Sequence, residues 1–170
     1  VLAPTIRDGR VFTNGGTYGG GVYAYDATSG AARWSNFAGD DDMSTPAVDE
    51  NNVYHYSGTA LEVYRASDGQ PVASIADPYG PGFGYSYHAA PVLGSPDHVI
   101  AFSGGAFSGR ASASTEHYDN RPLVNFSVRD AAPRWRTAAT YLTQPAVAKG
   151  VVYAARNEPN DAGLAMRAAA

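Results

Sequence analysis

A chain of 170 residues, 44% hydrophobic and 12% aromatic with only 16% charged residues, can bury a core and is not the composition of a disordered segment. Its net charge of −4 gives no electrostatic attraction to nucleic acid or an anionic membrane, and no apolar run approaches the roughly 18 residues of a membrane-spanning helix. It has no cysteine, which excludes thiol catalysis, disulfides and Cys-ligated zinc within this sequence.

The glycines, prolines and tyrosines (19, 11 and 12) favour short strands joined by turns. The first unit opens on Ala3-Pro4-Thr5-Ile6. The same proline context returns at Thr45-Pro46-Ala47-Val48, Ala90-Pro91-Val92-Leu93 and Gln144-Pro145-Ala146-Val147, at spacings of 42, 45 and 54 residues. After each comes a polar turn and a second strand: Arg10-Val11-Phe12, Asn52-Val53-Tyr54, His98-Val99-Ile100 and Val151-Val152-Tyr153. Third strands are expected over 21–25, 61–64 and 123–128, and fourth strands over 31–34, 71–75 and 133–136. Only the alanine-rich end, 165–170, is compatible with a helix.

Units of about 40 to 50 residues with four short strands predict an all-β chain, a β-propeller of four-stranded antiparallel blades. One such sheet exposes two faces and can bury them only by stacking on neighbours. The unit limits are 3–44, 45–89, 90–143 and 144–170, the last cut short, so the chain reads as a single partial propeller domain of about three and a half blades. That number does not close a ring. The remaining blades of a longer propeller are therefore the first expected partners.

The stretch Ala24-x-Asp26-x-x-Ser29-Gly30-x-x-x-Trp34 resembles the tryptophan-docking motif of the quinoprotein-like propeller family, which includes pyrroloquinoline quinone (PQQ) alcohol dehydrogenases and BamB-type lipoproteins. Ser29 stands where the family usually has Thr. The second unit keeps Gly69 but has Arg65 for the Asp and Ala73 for the Trp, and the third keeps Trp135 but lacks the Gly. The resemblance implies a ring of seven or eight blades and a periplasmic or extracellular location. It also implies that Asp26, Gly30, Trp34 and Trp135 are structural, with each tryptophan packed on the next blade.

In an up-and-down blade with strands A to D, the A–B and C–D turns share one face of the disc. All of them are short here, which marks a structural face. The B–C and D–A connections share the other face. They are longer, up to the 103–122 insertion, and such loops on a rigid scaffold are the expected place of function.

Three groups on that face carry chemistry. Asp40-Asp41-Asp42 could ligate a hard cation such as Ca²⁺, although it lacks the spacing of an EF-hand and also reads as a solvated acidic turn. The segment Tyr79 to His88 offers aromatic surfaces from Tyr79, Tyr85 and Tyr87 for stacking, and a His88/Tyr87 pair suited to acid–base work; it reads equally as an aromatic plug. The 103–122 insertion supplies Arg110, able to hold a carboxylate, and His117 with acidic neighbours, or it is simply a surface loop. His55, between Tyr54 and Tyr56, reads as a packing histidine.

Three functions compete. The first is a non-catalytic scaffold that binds a protein or carbohydrate ligand on the long-loop face, with Tyr79, Tyr85, Tyr87, His88 and Arg110 as contacts. The second is a PQQ-dependent dehydrogenase, holding the quinone with Ca²⁺. The third is a polysaccharide lyase or glycosidase using Tyr87, His88, Arg110 and His117. No nucleophile elbow, HExxH signature or phosphate-binding glycine loop is present. Nucleic-acid partners and a membrane span are not expected.

Overall fold

Proline-led short strands and positive-φ turns build four successive sheets in the computed structural model, which describes residues 4–15, 20–40, 43–78, 87–88, 90–103, 122–141, 144–156 and 165–169. Blade 1 is β1 (Thr5–Arg7), β2 (Arg10–Gly15), β3 (Gly20–Asp26) and β4 (Ala32–Asp40), followed by the short β5 (Met43–Ser44). Blade 2 is β6 (Ala47–Val48), β7 (Asn52–Tyr56), β8 (Ala60–Arg65) and β9 (Pro71–Ala76), followed by β10 (Tyr87–His88). Blade 3 is β11 (Val92–Leu93), β12 (His98–Phe102), β13 (Leu123–Ser127) and β14 (Ala132–Arg136). Blade 4 is β15 (Ala146–Ala148), β16 (Val151–Arg156) and β17 (Ala165–Ala169). The strands of each blade pair antiparallel in sequence order, in three four-stranded sheets and one three-stranded sheet. The chain is an all-β propeller fragment.

Two local expectations change. The segment 165–169 is a strand, not a helix: its alanines pair with β16 from Val152↔Ala169 to Arg156↔Ala165. A free edge on β16 outweighs the weak helix preference of five residues. β4 also runs six residues past Trp34, to Asp40. Gly20 and Gly21 explain this, because Gly21 pairs with Phe37 and Gly20 with Asp40 across an irregular register. A Cβ on Gly21 would run into the Asn36 backbone, so only glycine lets the hairpin continue.

The core lies between blades rather than within them. Phe12, Val22 and Ala24 of blade 1 meet Val53, Tyr64 and Ala66 of blade 2. On the opposite side of blade 2, Tyr54, Tyr56, Leu61, Val63 and Ile75 meet Val99, Ala101, Val124 and Phe126 of blade 3. Ile100, Phe102 and Leu123 then meet Val152 and Ala154 of blade 4, with Trp135 packed alongside. The inner strands β7, β8, β12 and β13 thus send alternate residues to the preceding and the following blade, as the period of two requires.

The turns sort onto two faces. The C–D turn of each of the first three blades bonds to its own A–B turn: Ala27 N–H to the Gly9 carbonyl, Ala66 N–H to Asn51 and Val128 N–H to Asp97, each at 2.8 Å. The hairpin turns Asp8-Gly9 and Lys149-Gly150 hold two consecutive positive φ angles, which suits a tight turn between twisted strands. The B–C and D–A connections leave from the other face.

Candidate functional site

The short-turn face is a series of self-satisfied turns. Asp26 Oδ1 accepts the N–H groups of Thr28 and Ser29, at 3.1 and 2.9 Å, and Asp26 Oδ2 accepts Arg33 at 2.6 Å. The Arg33 guanidinium, then these N–H groups and the Ser29 hydroxyl, hold the Asp26 carboxyl well below the usual range. Asp49 accepts the N–H of Asn51 and Asn52, and the buried Tyr54 hydroxyl at 2.6 Å. Burial, then the bond to Asp49, raises the Tyr54 phenol above its ordinary value. Exposed ion pairs, Arg65–Asp68, Arg129–Asp97 and Arg134–Asp130, complete the turns. Such pairs tie down turns but contribute little stability.

Trp34 sits at the boundary of blades 1 and 2. Its indole N–H donates to the Ala66 carbonyl at 3.1 Å, its ring lies 6.0 Å from that of Phe12, and Gly69 passes beneath it. A Cβ on Gly69 would lie 2.6 Å from the ring. Gly30 occupies the same turn position in blade 1, at φ +70°.

The long-loop face holds the arrangement of most functional interest. β10 pairs parallel with β5, with Tyr87 opposite Met43 and His88 opposite Ser44. These are the D–A connections leading into blades 3 and 2. Asp40, paired with Gly20, ends β4 just before the first of them. Tyr87–His88 is thus joined through its backbone to Met43–Ser44, 44 residues earlier in the chain. Asp41, Asp42, Tyr79, Tyr85, Arg110 and His117 lie outside the described residues. Trp135 is half-buried between blades 3 and 4.

One pair beside this region was not singled out from the sequence. The Tyr56 hydroxyl donates to Asp77 Oδ2 at 2.7 Å and lies 3.0 Å from the Gly58 carbonyl. Tyr56 is 1% and Asp77 6% exposed, so a carboxylate is buried where the D–A connection leaves blade 2. The available signal was an Asp directly after the apolar outer strand. Its partner, 21 residues earlier, looked like an ordinary strand tyrosine. His55 is fully buried and faces blade 1, cross-strand from Glu62, which accepts from Ser74 at 2.8 Å. Among the described residues no three His, Asp or Glu side chains are grouped to hold a metal ion.

The family model described as "Outer membrane protein assembly factor BamB" matches residues 2–114. The chain belongs to this BamB-type, PQQ-like repeat propeller family. Among solved structures, the BamB-type chain is similar to BamB from Moraxella catarrhalis, with TM-score 0.64 and 17% identity over 91% of this chain and 42% of that one. It is similar to the computationally designed Ika4 protein, with TM-score 0.62 and 13% identity over 98% and 91%. It is also similar to a europium-containing methanol dehydrogenase, with TM-score 0.53 and 14% identity over 91% and 37%. At these identities the likeness is one of fold. The chain spans about two-fifths of the length of the BamB structure it matches. No curated protein sequence matches it. Among the described residues no helix is long and apolar enough to cross a membrane, which says nothing of β-barrels.

Proposed function

We propose that this BamB-type domain is a binding scaffold that docks a protein partner on its long-loop face, centred where the D–A connections of blades 1 and 2 pair. The observation that carries this reading is the β5–β10 ladder, which ties Tyr87–His88 to Met43–Ser44. It makes one surface from connections belonging to two units. Tyr79, Tyr85, Tyr87, His88 and Arg110 are the proposed contacts, with Asp40, Asp41 and Asp42 at the margin. Aromatic and arginine side chains suit a protein interface. A protein partner agrees with the family description, an outer-membrane protein assembly factor, and so does a periplasmic location. The opposite face, with its short turns bonded to one another, serves as the rigid base.

Site-specific photo-crosslinking in the producing cell tests this. A crosslinker at Tyr87 is expected to capture a discrete protein adduct, while one at Glu50, on the short-turn face, captures none. Tyr87→Ala with His88→Ala should abolish an adduct formed from a neighbouring position without lowering the melting temperature. Adducts at Glu50 alone would overturn the assignment of the face. Dye-linked alcohol oxidation on adding PQQ and Ca²⁺, or unsaturated products from a uronic-acid polymer, would replace the scaffold reading with an enzymatic one.

A further inference from the structure

We infer that Tyr56 and Asp77 are positioning residues for the proposed docking surface: they fix the root of the connection between blades 2 and 3, so that Tyr87–His88 reaches Met43–Ser44. The inference rests on the docking reading of that surface. Asp77 is gripped twice. Its N–H donates to the Thr59 carbonyl at 2.7 Å, and its carboxylate accepts from the Tyr56 hydroxyl at 2.7 Å. Both partners belong to the B–C end of blade 2, which is closed on itself. There the Ser57 N–H donates to the Ala60 carbonyl at 2.9 Å, the Ala60 N–H donates to Ser57 Oγ at 3.1 Å, and Gly58 takes φ +85°. The Tyr56 ring lies 5.9 Å from that of Phe126 in blade 3. The pair thus fastens the start of a D–A connection to a B–C turn and to the next blade.

The neighbouring blades are built without this pair. Register places Asn14 opposite Val22 in blade 1 and Phe102 opposite Leu123 in blade 3, as Tyr56 is opposite Leu61 in blade 2. Asp77 stands four residues after Ala73, and the residues four after Trp34 and Trp135 are Ala38 and Ala139. Burying a carboxylate costs desolvation that a methyl group avoids. Holding the end of an outer strand therefore does not by itself call for Asp77.

What sets blade 2 apart is the stretch its connection covers before the ladder. In blade 1 the outer strand itself delivers the chain, because β4 runs to Asp40 and β5 begins at Met43. In blade 2, β9 stops at Ala76 and β10 begins only at Tyr87. Blade 3 holds its root in another way, through Thr137, whose hydroxyl accepts the Leu123 N–H at 2.9 Å and donates to the Ala139 carbonyl at 2.8 Å. A two-residue ladder gains little from its own bonds, so a fixed starting point for the long connection is what brings β10 into line with β5.

Amide hydrogen exchange at Met43–Ser44 and Tyr87–His88, in the protein expressed from its own gene, tests this without any partner. Tyr56→Phe is expected to quicken exchange there by about tenfold, the equivalent of one lost hydrogen bond to a buried charged group. Tyr54→Phe is the control. It also removes a buried tyrosine–carboxylate bond, but to Asp49 on the short-turn face, and should leave these amides unchanged. Asp77→Asn, whose amide oxygen still accepts from Tyr56, should quicken exchange less than Asp77→Ala, a comparison that stands even if Tyr56→Phe fails to fold. Exchange indifferent to both Tyr56→Phe and Asp77→Ala, or quickened equally by Tyr54→Phe, overturns the inference. Faster exchange in a protein that captures no adduct at Tyr87 supports the positioning and overturns only the docking reading.

Discussion

The hydroxyl of Tyr56 and the carboxylate of Asp77 meet at 2.7 Å inside the boundary of blades 2 and 3, at the point where the long D–A connection begins. Phe102 holds the equivalent strand position in blade 3, so the repeat does not demand a hydroxyl there. Tyr56→Phe should destabilise the protein by about 1–3 kcal/mol, because it removes a donor from a buried carboxylate. Asp77→Asn, which keeps the volume, should cost less than Asp77→Ala. Urea denaturation measures both. A Tyr56→Phe protein as stable as wild type would show that the bond contributes nothing net.

Trp34 and Gly69 should behave as one unit. Trp34→Phe loses the bond to Ala66 and is expected to cost about 1 kcal/mol. Gly69→Ala combines positive φ with a collision against the ring and should cost more than about 2 kcal/mol. In a Trp34→Ala background the collision disappears, so Gly69→Ala should cost clearly less. A double-mutant cycle by chemical denaturation reads the difference. Strict additivity would mean that the ring and the turn are energetically independent.

Stability should fall at both extremes of pH, for opposite reasons. The Asp26 carboxyl is depressed in the folded state, so its contribution is present above the ordinary carboxylate value of about 3.9 and is lost as pH falls below it. The Tyr54 phenol is raised, so its contribution is present below its unfolded value of about 10 and is lost as pH rises further. Asp26→Asn should flatten the acid limb of a melting-temperature profile, and Tyr54→Phe the alkaline limb. Unchanged limbs in either variant would remove that residue from the account.

Gly21→Ala should disturb blade 1 more than its small volume suggests. The added methyl meets the Asn36 backbone, which cannot swing aside as a side chain can. A loss of about 1–3 kcal/mol is expected, with faster amide exchange from Asn36 to Asp40. Exchange unchanged in that segment would show that the hairpin extension does not depend on Gly21.

The repeat was legible because its signals are local. Strand-opening proline contexts such as Thr45-Pro46-Ala47-Val48 and turn residues such as Asp8-Gly9 each act over a few positions, and they fix the sheets and sort the turns. The less legible features depend on partners distant in sequence or on shape. The two residues of β10 carry no pattern, and only their place beside β5 makes them a strand. Tyr56 and Asp77 are each unremarkable until the hairpin folds them together. The extension of β4 depends on a close approach at Gly21, which composition does not express. Loop lengths sorted the connections onto two faces, whereas the pairing of Met43–Ser44 with Tyr87–His88 was not readable.

The ladder between Met43–Ser44 and Tyr87–His88 also sets an order of assembly. All of blade 2 lies between its two strands, so closing it before that blade has folded would cost the entropy of a long loop for a two-residue reward. It therefore closes late in folding and opens early when the protein is stressed. The blades supply a durable frame, while the centre of the proposed binding face is held by a latch weaker than the sheets it joins.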